Sequence, residues 1–475
     1  MLRLYNTVSR RKEWFRPLVE GRVGIYTCGP TLNDLAHVGL IRRLLTVDLF
    51  KRLLMHEGYH VRHIVNLTDV DDKTIAESAR RGIRLEELTG HYAAEFFQDV
   101  ATLRMVPADH YPRATEHVDD MIAFTKGLVD KGLAYERQRS VYYAIGKFPG
   151  YGRLSRIDLK GVKAGATVDL DYYEKDHPGD FTVMRRSDLG ELRRRICWAT
   201  DWGQVRPGWH IECAAMARKY LGDSFDVHTS GLDLAFPHNE NENALCEGLT
   251  GKPMARYWMH SGMIQRKGRK MSRSAGSAVT LRDLLDRGYT GSQARWFLLG
   301  VHYRRPLEFD FDALDTACRE LARIDDLIRN LRQVRRGGGS HREIDEAVLL
   351  ADLEFFTAMR DDLNVPRARA ALFDVVRVAN GRIANGTASR CDAQLVIDFL
   401  YRADRVLAVM DFAEAPAVDP RIDALLADRD AARQSGDYAR ADAIRSELAS
   451  LGIQVEDTPG GARVRKRDGK PGRTR

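Results

Sequence analysis

Long apolar runs are missing from this chain. Among its 475 residues, 44% hydrophobic and 30% charged, no uninterrupted stretch approaches the length of a bilayer-spanning helix, which argues against a transmembrane protein. The first residues, MLRLYNTVSRRKEW, lack an apolar core, so no secretory signal is expected. Cysteine is scarce. The six present (Cys28, Cys197, Cys213, Cys246, Cys318 and Cys391) are spread too widely for a disulfide framework, which fits a reducing cytosol and leaves metal binding open. A strong charge of one sign is also lacking: the formal net charge is +7, and the last fifteen residues, GARVRKRDGKPGRTR, carry most of it with seven Arg or Lys against one Asp. That tail could be a flexible nucleic-acid contact, but charge alone favours a solubilising end. Internal repeats are absent too. The length exceeds a single core of about 250 residues, so several domains are expected.

What is present begins with a βαβ pattern. RVGIYT reads as a strand, Cys28 to Asp34 as a Gly-Pro turn, and Leu40, Leu44, Val47, Phe50 and Leu54 as the apolar stripe of an amphipathic helix. HVRHIVNLT is a plausible second strand. In such a unit ligands collect at strand C-terminal ends and helix N-termini. Residues from about 112 to 205 look like an insertion of short strands and Gly-rich turns. Sheet-like patterning returns at FDVHTS, followed by the polar GLDLAFPHNENENA. From about 310 the pattern is helical, broken by RRGGGS at 335–340, and DFAEAPAVDP then links to a small terminal module.

Two constellations carry chemistry. Cys28, Cys213, His238 and Glu242 are candidate metal ligands, the last two placed four apart so that a helix would present them on one face. Two thiolates, an imidazole and a carboxylate suit zinc better than magnesium or calcium. Spacing alone favours the plainer reading, ordinary buried cysteines and a solvated helix start, because no CxxC pair is present. The second constellation pairs HVGL at 37–40 with KGRKMSRSAGS at 267–277. His37 and Gly39 at a helix start suit a nucleotide, Gly39 letting a flat base approach the backbone, and a mobile basic loop suits closure over a triphosphate.

With these residues the whole chain resembles the cysteinyl-tRNA synthetases, a class I aminoacyl-tRNA synthetase family. The segments YTCGPT, AHVG, NLTDVDDK, PRATEH, GWHIEC, DLAFPHNENE, KMSRS, AMRDDLNVPRA and GIQVEDTPGGARVR occur in family order from residue 26 to 465. The fold implied is α/β: a split Rossmann-like nucleotide-binding catalytic domain with an insertion, then a helical bundle and a small C-terminal anticodon-binding domain. The expected boundaries are 1–111 and 206–260 for the catalytic halves, 112–205 for the connective insertion and 261–330 for the signature-loop and stem-contact region. The helical bundle is expected at 331–415, and the anticodon module with the basic tail at 416–475.

The resemblance implies one zinc ion on Cys28, Cys213, His238 and Glu242 that binds the thiolate of substrate cysteine. Thr68, Trp209 and Asp233 stand at family positions around the amino acid, although Trp209 reads equally as core packing. ATP, with Mg2+, would lie over Gly29, His37 and Gly39, with His37, Lys270 and Arg273 stabilising the reacting phosphates. Arg433, Tyr438, Asp442 and Asp457 fall where relatives meet the tRNA anticodon. A cytoplasmic monomer acting on L-cysteine, ATP and tRNA(Cys) is the expectation. Four departures stand against it: Leu40 in place of a polar residue, Ala275 and Ser277 after the basic loop, Met184 in place of Trp, and the altered turn in CWATDWGQVRPGW. They keep two alternatives in view, a paralogue passing cysteine to an amine and a zinc- and tRNA-binding protein with impaired catalysis.

Overall fold

RVGIYT, rich in β-branched and aromatic residues, forms strand β1 (Arg22–Thr27) in the computed structural model. The structure describes residues 1–157, 175–177, 179–271, 276–413, 420–451, 453–458 and 461–466. After β1 the chain turns through Gly29 and Pro30 into helix α1 (Val38–His56) and returns as strand β2 (His60–Val65). β2 lies parallel to β1, in register from Arg22 opposite His60 to Thr27 opposite Val65. Two further parallel strands come from far along the chain. β3 (Phe225–Gly231) takes the other edge of β1, and β4 (Ala255–Ser261) lies outside it, giving the order β4-β3-β1-β2.

The chain therefore leaves β1 toward β2 on one side, while β3 arrives on the other. The crevice beyond the C-terminal ends of β1 and β3 is a topological switch point, the place where an open parallel sheet accepts a ligand. All seven residues of β3 are buried, as expected of a parallel strand covered on both faces. Between β2 and β3 stands an antiparallel five-stranded sheet, ordered Ala134–Arg137, Ser140–Tyr143, Phe181–Arg186, Gly203–Pro207, Trp198–Thr200. Met184 is fully buried there, a flexible side chain packed among apolar neighbours.

Apolar spacing predicts one buried stripe on α1, yet the helix is buried on nearly all sides. Its polar residues are met from the surrounding chain. Asp48 pairs with Arg295 at 2.5 Å, accepts from Arg52 Nε at 2.9 Å and accepts from the Val106 amide at 2.7 Å. Lys51 Nζ donates to the Pro107 carbonyl at 2.8 Å. Arg42, fully buried, donates to the carbonyls of Gly262 at 3.0 Å, Val301 at 3.3 Å, His302 at 3.2 Å and Arg305 at 2.9 Å. Carbonyl dipoles stand in for a counter-ion, and burial lowers the Arg42 pKa to about 10.

The chain divides into two compact units. The first comprises Met1–Cys318, Phe356–Ala368 and Arg405–Val409, the second Arg319–Phe355, Arg369–Asp404 and Met410–Arg475. In the second unit Asp352 pairs with Arg402 at 2.7 Å and His341 with Asp392 at 2.6 Å, tying the helices Arg342–Arg360 and Arg390–Leu407. Its terminal part holds helices Pro420–Gln434 and Tyr438–Ser450 and a hairpin of Ile453–Thr458 with Gly461–Lys466. Leu425, Leu426, Ile444, Leu448, Ile453 and Val455 form a small core there. Among the described residues no helix is long and apolar enough to cross a membrane.

Replacing Arg42 with Met would take the guanidinium donors from the carbonyls of Gly262, Val301 and Arg305, while the His302 carbonyl keeps the Arg305 amide. Arg42→Met should cost about 3 kcal/mol, the range for breaking a buried charged hydrogen-bond set. A lower melting temperature, with faster amide exchange concentrated in 262–305, is the expected result; unchanged melting would show that the carbonyls find other partners.

Candidate active site

The switch-point crevice gathers residues that are far apart in sequence. Cys28 follows β1 directly, because β1 must end where Gly29 and Pro30 begin the turn. Cys213 lies on helix α2 (Trp209–Leu221), whose N-terminus faces the sheet's C-terminal edge. Past β3 the chain makes a kinked turn, Ala235–Asn239, with Phe236 extended inside it, that carries His238, and Glu242 lies in the first turn of helix α3 (Glu240–Thr250). One ligand atom from each of Cys28, Cys213, His238 and Glu242 lies within 4.8 Å of the others, and all four residues are buried. Two sulfurs, one nitrogen and one oxygen at that spacing fit a four-coordinate zinc ion.

A second layer holds these donors. His238 Nε2 and His228 Nε2 each lie 2.5 Å from a different Glu242 carboxylate oxygen. The Asn239 amide donates to Glu242 at 3.4 Å, and the His210 and His238 Nδ1 atoms are 3.0 Å apart. The Trp209 ring stacks on His238 with centroids 4.1 Å apart, and Trp258 stacks on His228 at 4.3 Å. Burial would push the Glu242 carboxyl up, but the two imidazoles hold it well below the usual carboxylate range. Burial also opposes charge on the imidazoles. The Glu242 carboxylate outweighs it, raising His238 to about 10 and His228 to about 9. These protons are positive charge that a divalent cation supplies instead when bound.

The nucleotide side is built on the start of α1. His37 is the N-cap, its Nδ1 accepting from the Gly39 amide at 3.0 Å and the Leu40 amide at 3.2 Å, which places the neutral ring's proton on Nε2. Gly39 is explained by this cap: a Cβ there would lie 2.8 Å from the His37 ring. Gly29 has a similar reason, since a Cβ would fall 1.7 Å from the Asn66 carbonyl oxygen. Leu40 packs with the apolar cluster of Leu32, Leu44, Val65 and Leu67.

Thr68 is buried, and its hydroxyl accepts from the Asn66 amide at 3.1 Å. Lys270 stands just past the hairpin turn at Lys267 and Gly268, and its Nζ donates to Asp233 Oδ2 at 2.7 Å. Burial would raise the Asp233 pKa, but Lys270 and Arg43 bring it below the ordinary value. Arg273 and Ala275 lie outside the described residues. Ser277, two residues further, is partly buried. In the terminal module Arg433 and Asp442 are exposed, and Tyr438, at 64% exposure, opens the helix Tyr438–Ser450. Asp457 lies on the strand Ile453–Thr458, its side chain outside the described residues.

The chain matches the family model described as the tRNA synthetases class I (C) catalytic domain over residues 14–319. It also matches a DALR domain over 354–410 and a cysteinyl-tRNA ligase anticodon binding domain over 415–465. A cysteine–tRNA ligase of Chlamydia abortus is 41% identical over 468 residues, 98% of each chain. The chain belongs to the cysteine–tRNA ligase family. Relatives of that name from Methanosarcina mazei and Carboxydothermus hydrogenoformans are each 40% identical over 98% of this chain, spanning 99% and 100% of their own. Among solved structures, a Mycobacterium tuberculosis methionyl-tRNA synthetase in complex with methionyl-adenylate superposes with a TM-score of 0.59. It covers 82% of this chain and 90% of its own at 16% identity, which speaks to the fold alone. The class I catalytic fold with its Rossmann-like parallel sheet, followed by a helical region, agrees with the architecture expected of the family.

Sequence reasoning missed His228, His210 and Asn239, which orient the ligands, and Arg43, which enters the crevice. A histidine in the sheet-like segment FDVHTS, just before the candidate ligands His238 and Glu242, was the available signal. Removing a buried second-layer imidazole should weaken metal binding by roughly 10–100-fold. For His228→Asn that loss is expected in a chelator competition for zinc, whereas Cys28→Ser should fail to retain the metal at all. Equal zinc retention by Cys28→Ser and the parent would remove Cys28 from the ligand set.

Proposed function

We propose that the chain is a cysteine–tRNA ligase, forming cysteinyl-adenylate from L-cysteine and ATP and passing the cysteinyl group to tRNA(Cys). The observation that carries this reading is the sulfur-rich donor cluster beside the N-terminus of α1 at the switch point. Cys28, Cys213, His238 and Glu242 would hold zinc, which when bound supplies a soft Lewis acid that favours a thiolate over a hydroxyl. A pocket of shape alone rejects close analogues by only ~10².

The remaining roles fall to the chain's own residues. Asp233 offers its carboxylate to the substrate ammonium, while Thr68 and Trp209 border the amino acid. Gly29 and Gly39 keep the backbone open to the nucleotide, and His37 presents Nε2–H to the α-phosphate together with the α1 N-terminus. Lys270 and Arg273 neutralise the departing pyrophosphate, with Mg2+ accompanying ATP. In the terminal module Tyr438 stacks on an unpaired anticodon base, with Arg433, Asp442 and Asp457 beside it. That module favours tRNA over a small amine as acceptor. Six free cysteines fit a reducing cytoplasm, where we place the protein as a monomer.

Cysteine-dependent exchange of labelled pyrophosphate into ATP, followed by charging of tRNA, tests the reading; no exchange at any enzyme concentration would reject it. Lys270→Ala should slow exchange by about 10²–10³-fold with unchanged tRNA affinity. Tyr438→Ala should leave exchange intact and lower kcat/KM for charging by tenfold or more, since stacking on a base contributes about 1–3 kcal/mol. Charging at the parental rate would remove Tyr438 from the anticodon surface.

A further inference from the structure

Helix α1 carries two successive arginines in opposite surroundings. Arg42 spends its donors on backbone carbonyls, as described. Arg43 lies three residues past Leu40, hence on the same side of the helix about one turn further in. Its guanidinium enters the crevice. Nη2 lies 3.4 Å from the carbonyl oxygen of Gly29, just beyond β1, and Nη1 lies 3.6 Å from where a Cβ on Gly231, the last residue of β3, would stand. The side chain thus bridges the ends of the two strands that define the switch point.

This guanidinium is poorly satisfied. Its Nε is buried and meets no acceptor among the described residues, and the Gly29 contact is long for a hydrogen bond. Asp233, the acidic group closest in influence, is taken by Lys270 at 2.7 Å. Burial lowers the Arg43 pKa, and the charges at Cys28 and Asp233 oppose that fall. Arg43 is half-buried with its Nε enclosed, so a ligand anion at the strand ends would supply acceptors that the described residues do not. The Leu40 side chain offers no donor and is engaged in apolar packing.

Resting on the cysteine-ligase reading, we propose that Arg43 is a catalytic residue that binds the oxyanions at the junction of the substrate carboxylate and the α-phosphate, supplying from the next helical turn the polar contact that Leu40 cannot make. In that step a carboxylate oxygen of cysteine forms a bond to the α-phosphorus. The bond from that phosphorus to the bridging oxygen of pyrophosphate breaks, and its electron pair leaves with pyrophosphate. No proton need move, and negative charge is redistributed over the non-bridging oxygens. A planar fork of N–H donors can engage two such oxygens together, as a lysine cannot.

The test compares zinc-loaded parent, Arg43→Gln, Arg43→Lys and the double variant Leu40→His/Arg43→Gln in cysteine-dependent pyrophosphate exchange, with zinc content and melting temperature measured alongside. Arg43→Gln should lose about 100-fold or more in kcat with zinc content retained. Arg43→Lys should recover part of the rate, and Leu40→His should restore roughly tenfold or more in the Arg43→Gln background, which a purely structural arginine would not allow. An accompanying rise in KM for cysteine assigns the carboxylate as the main contact, and a rise in KM for ATP assigns the phosphate. Exchange by Arg43→Gln within twofold of the parent would overturn the proposal. So would a loss reversed by added zinc, which would make Arg43 a counter-charge for the metal cluster. If the parent itself shows no cysteine-dependent exchange, the ligase reading fails separately. Calorimetric ATP binding then decides for Arg43: weaker binding by Arg43→Gln keeps the anion contact, and equal binding removes it.

Discussion

Glu242 is a carboxylate with no exposure to solvent, and a group of that kind must be surrounded by donors or by a cation. Two imidazoles on separate elements meet it, one from β3 and one from the turn that follows β3. Each ring is clamped in turn by an indole, so the polar centre is set in an aromatic casing. The parallel pairing of β1 with β3 is what brings Cys28 to the same point. Were β3 to shift its register, the sulfur and the carboxylate would separate and both would be left buried with fewer partners. Fold and site therefore hold one another in place.

How much of this was legible in the sequence varies residue by residue. RVGIYT and the α1 pattern were plain, because local periodicity specifies them. The metal quartet was visible only as residue types: Cys28 is far in sequence from its partners, 214 positions from Glu242, and nothing local encodes the strand pairing that unites them. Family resemblance supplied that connection. Burial of α1 on nearly all sides was hidden because Arg42, Asp48 and Lys51 look like an exposed face, although each is met by chain from elsewhere. Gly29 and Gly39 were read as concessions to a nucleotide. Within the chain their close neighbours are the Asn66 carbonyl and the His37 ring, a second reason for glycine at each position.

Arg42 and Arg43 show why charge pattern alone misleads. Adjacent, chemically identical and on one helix, they point in directions separated by the helical twist. One meets a cage of carbonyls that no carboxylate enters, and the other meets the open ends of two strands. The difference is a matter of where backbone elsewhere happens to present oxygen, which is a property of the assembled fold.

The absent side chain at Gly39 reaches further than local fit. Because nothing projects there, the His37 imidazole can turn back over its own helix and accept two amide protons before any nucleotide arrives. Its torsional search is over at folding, and its other nitrogen carries the ring hydrogen in a set direction. A ligand meeting that ring has no disorder to remove from it, so the contact can be spent on the reacting phosphate rather than on arranging the enzyme.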